Sequence, residues 1–73
     1  MKSYGKVVEY DGYVGTIVGI DGNNYIVLDT DLVDKDIKKD DYVSFDKYLY
    51  KDIELTRYIA RFVKRINKED IKN

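Results

Sequence analysis

Apolar and polar positions alternate along this chain in short extended runs, punctuated by Gly, Asn and Asp, a pattern that predicts an all-β domain. Residues 2–10 predict a first strand, with Val7 on one face and Val8 and Tyr10 on the other. Asp11-Gly12 is a hairpin signal, because glycine accepts the positive φ that such turns need. Residues 13–20 predict a second strand, whose Gly15 and Gly19 suit the sharp bending of a small barrel. Asp21-Gly22-Asn23-Asn24 is the strongest turn in the chain, and Tyr25-Ile26-Val27-Leu28 follows at once as a third strand. Residues 29–41 are polar and acidic with isolated Leu32, Val33 and Ile37. They predict a connecting loop with a turn of helix, its three apolar residues plugging a barrel end. Residues 42–49 alternate again, Val43, Phe45 and Leu49 on one side and Tyr42, Ser44, Asp46 and Tyr48 on the other, as in a half-buried strand.

The C-terminal third reads two ways. Leu55, Tyr58, Ile59, Phe62, Val63 and Ile66 recur at helical spacing, with Arg57, Arg61, Lys64 and Lys68 on another face. The residue types themselves (Ile, Tyr, Phe, Val, Thr) favour a strand. Periodicity alone points to a helix.

Composition narrows the chemistry. At 73 residues the chain holds one domain, residues 1–73, with a small core and residues 67–73 as a loose tail. Cys and His are both absent, which removes disulfides, thiolate chemistry, the commonest general base and the commonest metal ligand. No Ser/His/Asp or Cys/His arrangement and no phosphate-binding glycine loop is possible, so neither an enzyme nor a cofactor is expected. The acidic run Asp29, Asp31, Asp34, Asp36, Asp40, Asp41 lacks the spacing, central Gly and terminal Glu of a calcium loop; it is read as a solvated loop, and no metal is expected. No apolar run approaches the ~20 residues that cross a bilayer. Met1-Lys2-Ser3-Tyr4 lacks a signal-peptide core, and the expectation is a complete cytoplasmic protein. Net charge is −1, but residues 57–73 carry six basic side chains against Glu69 and Asp70, so a positive C-terminal segment follows a negative body. Eight Tyr and two Phe suit half-exposed strands or a surface on which bases stack.

Taken in order, these segments resemble the cold-shock domain, a five-stranded barrel of the oligonucleotide-binding fold. The family opens G-x-V-K-W-F-N and K-G-[FY]-G-F-I; here stand Gly5-Lys6-Val7-Val8-Glu9-Tyr10-Asp11 and Gly12-Tyr13-Val14-Gly15-Thr16-Ile17. Its V-F-V-H falls near Tyr25-Ile26-Val27-Leu28, and its G-x-x-V-x-F resembles Asp40-Asp41-Tyr42-Val43-Ser44-Phe45 with the glycine replaced. Its closing A-x-N-V-x-x-L is similar to Ala60-Arg61-Phe62-Val63-Lys64-Arg65-Ile66. The likeness spans residues 4–66, with a longer stretch between Phe45 and Ala60. It implies a fifth strand at the C-terminus, closing an all-β, five-stranded barrel; a four- to five-stranded barrel with a C-terminal helix is the alternative.

The resemblance also implies weak binding of single-stranded RNA or DNA without strong sequence preference, in an accessory, RNA-chaperone-like role. Tyr10, Tyr13 and Tyr25 are then the candidates for base stacking, and Lys6, Arg57, Arg61, Lys64 and Arg65 for phosphate contacts. The chain departs from the family at four contact positions: Glu9 replaces Trp, Thr16 an aromatic, Leu28 His, and Asp11 Lys. These departures favour the rival expectation, a non-enzymatic module of the same fold that meets a partner protein or a second copy of itself.

Overall fold

The computed structural model describes residues 2–51 and 53–71. Five strands form, β1 (Lys2–Tyr10), β2 (Val14–Gly19), β3 (Asn24–Leu28), β4 (Tyr42–Lys51) and β5 (Thr56–Ile66). They close into a barrel in the order β1-β2-β3-β5-β4, with β4 returning to pair with β1. All neighbours are antiparallel except β3 and β5, which run parallel and meet at Ile26 and Ile59. The C-terminal segment is therefore a strand, and the fold is all-β.

Alternation places Val7, Ile17, Tyr25, Val27, Val43, Phe45, Ala60 and Val63 inside, and each is essentially inaccessible. Leu32 and Ile37, from the long connection after β3, close one end as expected. Val33, the third residue assigned to that plug, is instead 54% exposed. That connection opens with a single 3-10 turn (Asp29–Asp31) and then runs beside β5, where Leu32 bridges to Val63.

Two bulges break the simple alternation and correct the facing of particular side chains. In β1, Val7 pairs with Ile17 but Glu9 pairs with Thr16, so Val8 is an extra residue. Tyr10 is thereby turned onto the face of Val7, opposite Gly15, and packs against the core. A Cβ on Gly15 would lie 2.8 Å from the Tyr10 ring, and one on Gly19 2.8 Å from the Tyr25 ring. These glycines make room for inward tyrosines.

The second bulge lies in β5. Ser44 pairs with Lys64 and Asp46 with Arg61, so Phe62 and Val63 together face the single residue Phe45. Phe62 takes the left-handed conformation, φ 53°. The buried residues Ala60 and Val63 are consequently three apart instead of two, which lent this strand its helical spacing. Beyond Asp46, β4 loses its partner β1 and pairs only with β5. Past the Tyr48–Ile59 pair, where β5 also leaves β3, residues 49–51 and 56–58 form a two-stranded arm, and the molecule measures 38 × 28 × 17 Å. Leu49 sits on this arm, 49% exposed, while Ser44 is buried, the reverse of their expected places. In residues 67–71, Asn67 and Asp70 form a capping box around a 3-10 turn, Lys68–Asp70. Residues 72 and 73 of the expected tail lie outside the described residues.

Candidate ligand-binding face

The outer face of the barrel is continuous across β1, β2, β3, β5 and β4. One row runs Glu9, Thr16, Ile26, Ile59, Tyr48 through successive backbone pairings. The next holds Val14 opposite Leu28, and Tyr50 opposite Arg57 on the arm. Between the β1–β2 turn, β3 and Arg57 this face sinks into an open cleft of ≈ 520 Å³. Ile26, Leu28, Val14 and Gly15 supply apolar surface, with Tyr10 and Thr16 beside them; Glu9 and Asp11 stand on the rim, together with Arg57.

Local chemistry fixes the acidic rim. Asp11 Oδ1 accepts the backbone N–H groups of Tyr13 and Val14, each at 2.9 Å, which closes the β1–β2 turn. Those two donors hold the Asp11 carboxyl below its ordinary pKa, so it is ionised at neutral pH. The Thr16 hydroxyl donates to Glu9 Oε1 at 3.2 Å. Tyr10 is half-buried along the cleft, and burial, followed by the charges of Asp29 and Asp11, raises its pKa.

The three tyrosines expected to stack have three different environments. Tyr13 is 74% exposed at the turn, and Tyr10 is half-buried and lines the cleft. Tyr25 has no accessible surface: its ring packs against Phe45 (centroids 4.8 Å apart) and Tyr58 (5.6 Å), and its hydroxyl donates to Asp21. Burial, with the Asp21 contact, pushes its pKa up to about 12. Tyr25 is a core residue and offers no face to a ligand.

The expected cations divide as well. Arg65 is a structural hub at the barrel end. Its guanidinium reaches the Asp36 and Asp41 carboxylates at 3.1 Å and the Asp36 carbonyl at 2.7 Å, while its backbone N–H donates to Asp34. The acidic loop is therefore not merely solvated, because it tethers β5. Arg61 pairs with Asp31 at 3.4 Å, and Lys6 lies 3.8 Å from Asp40. Arg57 and Lys64 are exposed and have no ion-pair partner among the described residues. Strand parity puts Arg57, Arg61 and Lys64 on the outer face and Arg65 on the inner.

Sequence reading missed Tyr48 and Tyr50, 48% and 46% exposed, on the same face as Arg57. Their alternation with Asp46 was legible; the loss of β1 as a neighbour, which leads into the arm, was not. Among the described residues no helix is long and apolar enough to cross a membrane. The chain matches no protein-family model and no curated protein sequence.

Proposed function

We propose that this chain is a small cytoplasmic, cold-shock-like domain of the oligonucleotide-binding fold that holds single-stranded RNA or DNA on its outer face. Two structural features support the kinship. The strand order β1-β2-β3-β5-β4, with parallel β3 and β5, suits a five-stranded Greek-key barrel of that kind. Asp40 occupies the place of the family's motif glycine and has φ 76°, a conformation that glycine adopts without penalty.

The observation that carries the functional reading is the pairing of Tyr50 with Arg57, which has no ion-pair partner among the described residues, beside Tyr48, on a face continuous with the cleft. Aromatic rings interleaved with cations are the means by which single strands are held without base reading, each base–ring stack being worth about 1–3 kcal/mol. Arg57, Arg61 and Lys64 supply the phosphate contacts. Arg61 must share its charge with Asp31, and Arg65 and Lys6 contribute little. Binding is weak because so few cations face the strand.

Fluorescence anisotropy of a labelled single-stranded oligonucleotide tests this. Binding is expected at low salt, with log K falling against log salt with a slope near −2, as about three contacts at ~0.7 each require. No binding at low salt would end the reading. A second reading, a protein-interaction module, is favoured by the carboxylates of Glu9 and Asp11 beside exposed Val14 and Leu28. It would gain if oligonucleotides failed to bind and the chain self-associated in light scattering.

A further inference from the structure

The cleft beside the arm has a chemistry that stacking and phosphate contacts leave unused. Its volume, ≈ 520 Å³, falls within the ~300–1,000 Å³ typical of small-ligand sites. Aliphatic side chains, Ile26, Leu28 and Val14, line it, and such surfaces accept the flat face of a heterocycle. Its rim is polar and of both signs, with Glu9 and Asp11 as acceptors and Arg57 as donor. The Thr16 hydroxyl ties one oxygen of Glu9, which leaves the other oxygen and a remaining lone pair for a ligand. Asp11 likewise spends Oδ1 on backbone N–H groups and keeps Oδ2 open. Ionised carboxylates repel phosphate, so the acidic side of the rim admits the edge of a base and excludes the strand's backbone.

We infer that this cleft selects a guanine base, with Glu9 accepting from its Watson–Crick edge and Arg57 kept for the adjoining phosphate. The inference rests on the nucleic-acid reading above and deepens it from unselective holding to a base preference. Guanine is the one common base with two adjacent donors, N1–H and the N2 amine, matched to a carboxylate. Uracil and thymine present two carbonyls flanking a single N–H, and these face Glu9 with like polarity. Cytosine and adenine offer one amine next to a ring acceptor. Glu9 is thus the discriminating residue, and Thr16 positions it.

The test uses the full chain and labelled oligouridylates carrying one central guanine, inosine, adenine, cytosine or uracil. The guanine strand should bind about fivefold tighter than the all-uracil strand, the low end of what a bidentate contact supplies. Inosine, which keeps N1–H but lacks the amine, should fall between them. Glu9→Gln should abolish the guanine preference while leaving affinity for the all-uracil strand equal or higher, since a repelling charge is removed. Thr16→Val should reduce the preference in part, and Thr16→Ser should restore it. Competition by 5′-GMP separates the two sources of the base. A free nucleotide as potent as the guanine strand assigns the cleft to mononucleotides, and a much weaker one assigns it to a base within a strand. Equal binding of all five strands, or a preference that survives Glu9→Gln, overturns the guanine assignment alone. Absence of binding by every strand and by 5′-GMP overturns this and the broader reading together.

Discussion

The two halves of β5 carry similar residues in opposite circumstances. In the C-terminal half, Arg65 is held by three aspartates of the long connection and lies on the inner face of the barrel. In the N-terminal half, Arg57 stands on the arm opposite Tyr50, with no ion-pair partner among the described residues. A single extra residue at Phe62 separates the two regimes, since the bulge decides which face each later side chain takes. The tyrosines divide the same way. Tyr25 is sealed in the core with its hydroxyl on Asp21, and Tyr50 is half-exposed on a surface. Residue type alone does not separate a fold-bearing side chain from one available to a ligand; strand neighbours do.

The contrast breaks most sharply at the core. Phe45→Ala should cost about 3–5 kcal/mol in urea unfolding, a large part of what so small a domain possesses. Tyr50→Ala should stay within about 0.5 kcal/mol. Similar losses from both would erase the distinction between body and arm.

Tyr25→Phe removes the hydroxyl that donates to Asp21 and should cost about 1 kcal/mol. It should also change the alkaline limit of the fold. Because the folded-state pKa of Tyr25 is raised from 10.0 to about 12, its contribution is fully present below pH 10 and is lost as pH rises towards 12. The phenylalanine variant should lack that component, as followed by circular dichroism with tyrosinate absorbance.

Arg65→Met sharpens the comparison at the acid end. The Asp36 carboxyl is held below 3.8 first by its hydrogen bond from Arg65; for Asp41, burial works the other way but the Lys38 N–H and Arg65 outweigh it. Depressed carboxylates stabilise the fold above pH 3.8, and that contribution disappears as pH falls through their lower folded values. The variant should melt earlier at neutral pH and show a flatter loss of stability on acidification. Arg57→Ala should do neither. The smallest effect concerns the loop that feeds this hub: Asp40→Gly relieves a left-handed residue and should raise stability by up to about 1 kcal/mol.

Much of the barrel was legible in the chain. Gly-marked turns and period-two runs located β1 to β4 within a residue or two, because each strand buries one face and turns use few residue types. The facing of individual side chains was less so. Val8 and Phe62 are ordinary strand residues, and nothing in their identity announces a bulge. Tyr10 therefore moved inward, and β5 carried a false helical spacing. Tyr25 departs from its expected place because a tyrosine fits a core whenever one acceptor reaches its hydroxyl, and Asp21, a turn residue by sequence, supplies that acceptor. The arm was hidden for another reason: strand length is local, but the point at which β1 ceases to cover β4 is set by the whole ring.

Oligonucleotide affinity of the Tyr50→Ala/Arg57→Ala double variant, set beside that of Arg65→Met at a temperature where both are folded, is the most direct trial. Binding on the outer face requires the double variant to lose tenfold or more in affinity, from one stack and one phosphate contact at about 1–3 kcal/mol for the stack. Arg65→Met should bind as the unaltered chain does. Undiminished binding by the double variant, or a loss confined to Arg65→Met, would place any nucleic-acid contact elsewhere and contradict the division drawn between the two halves of β5.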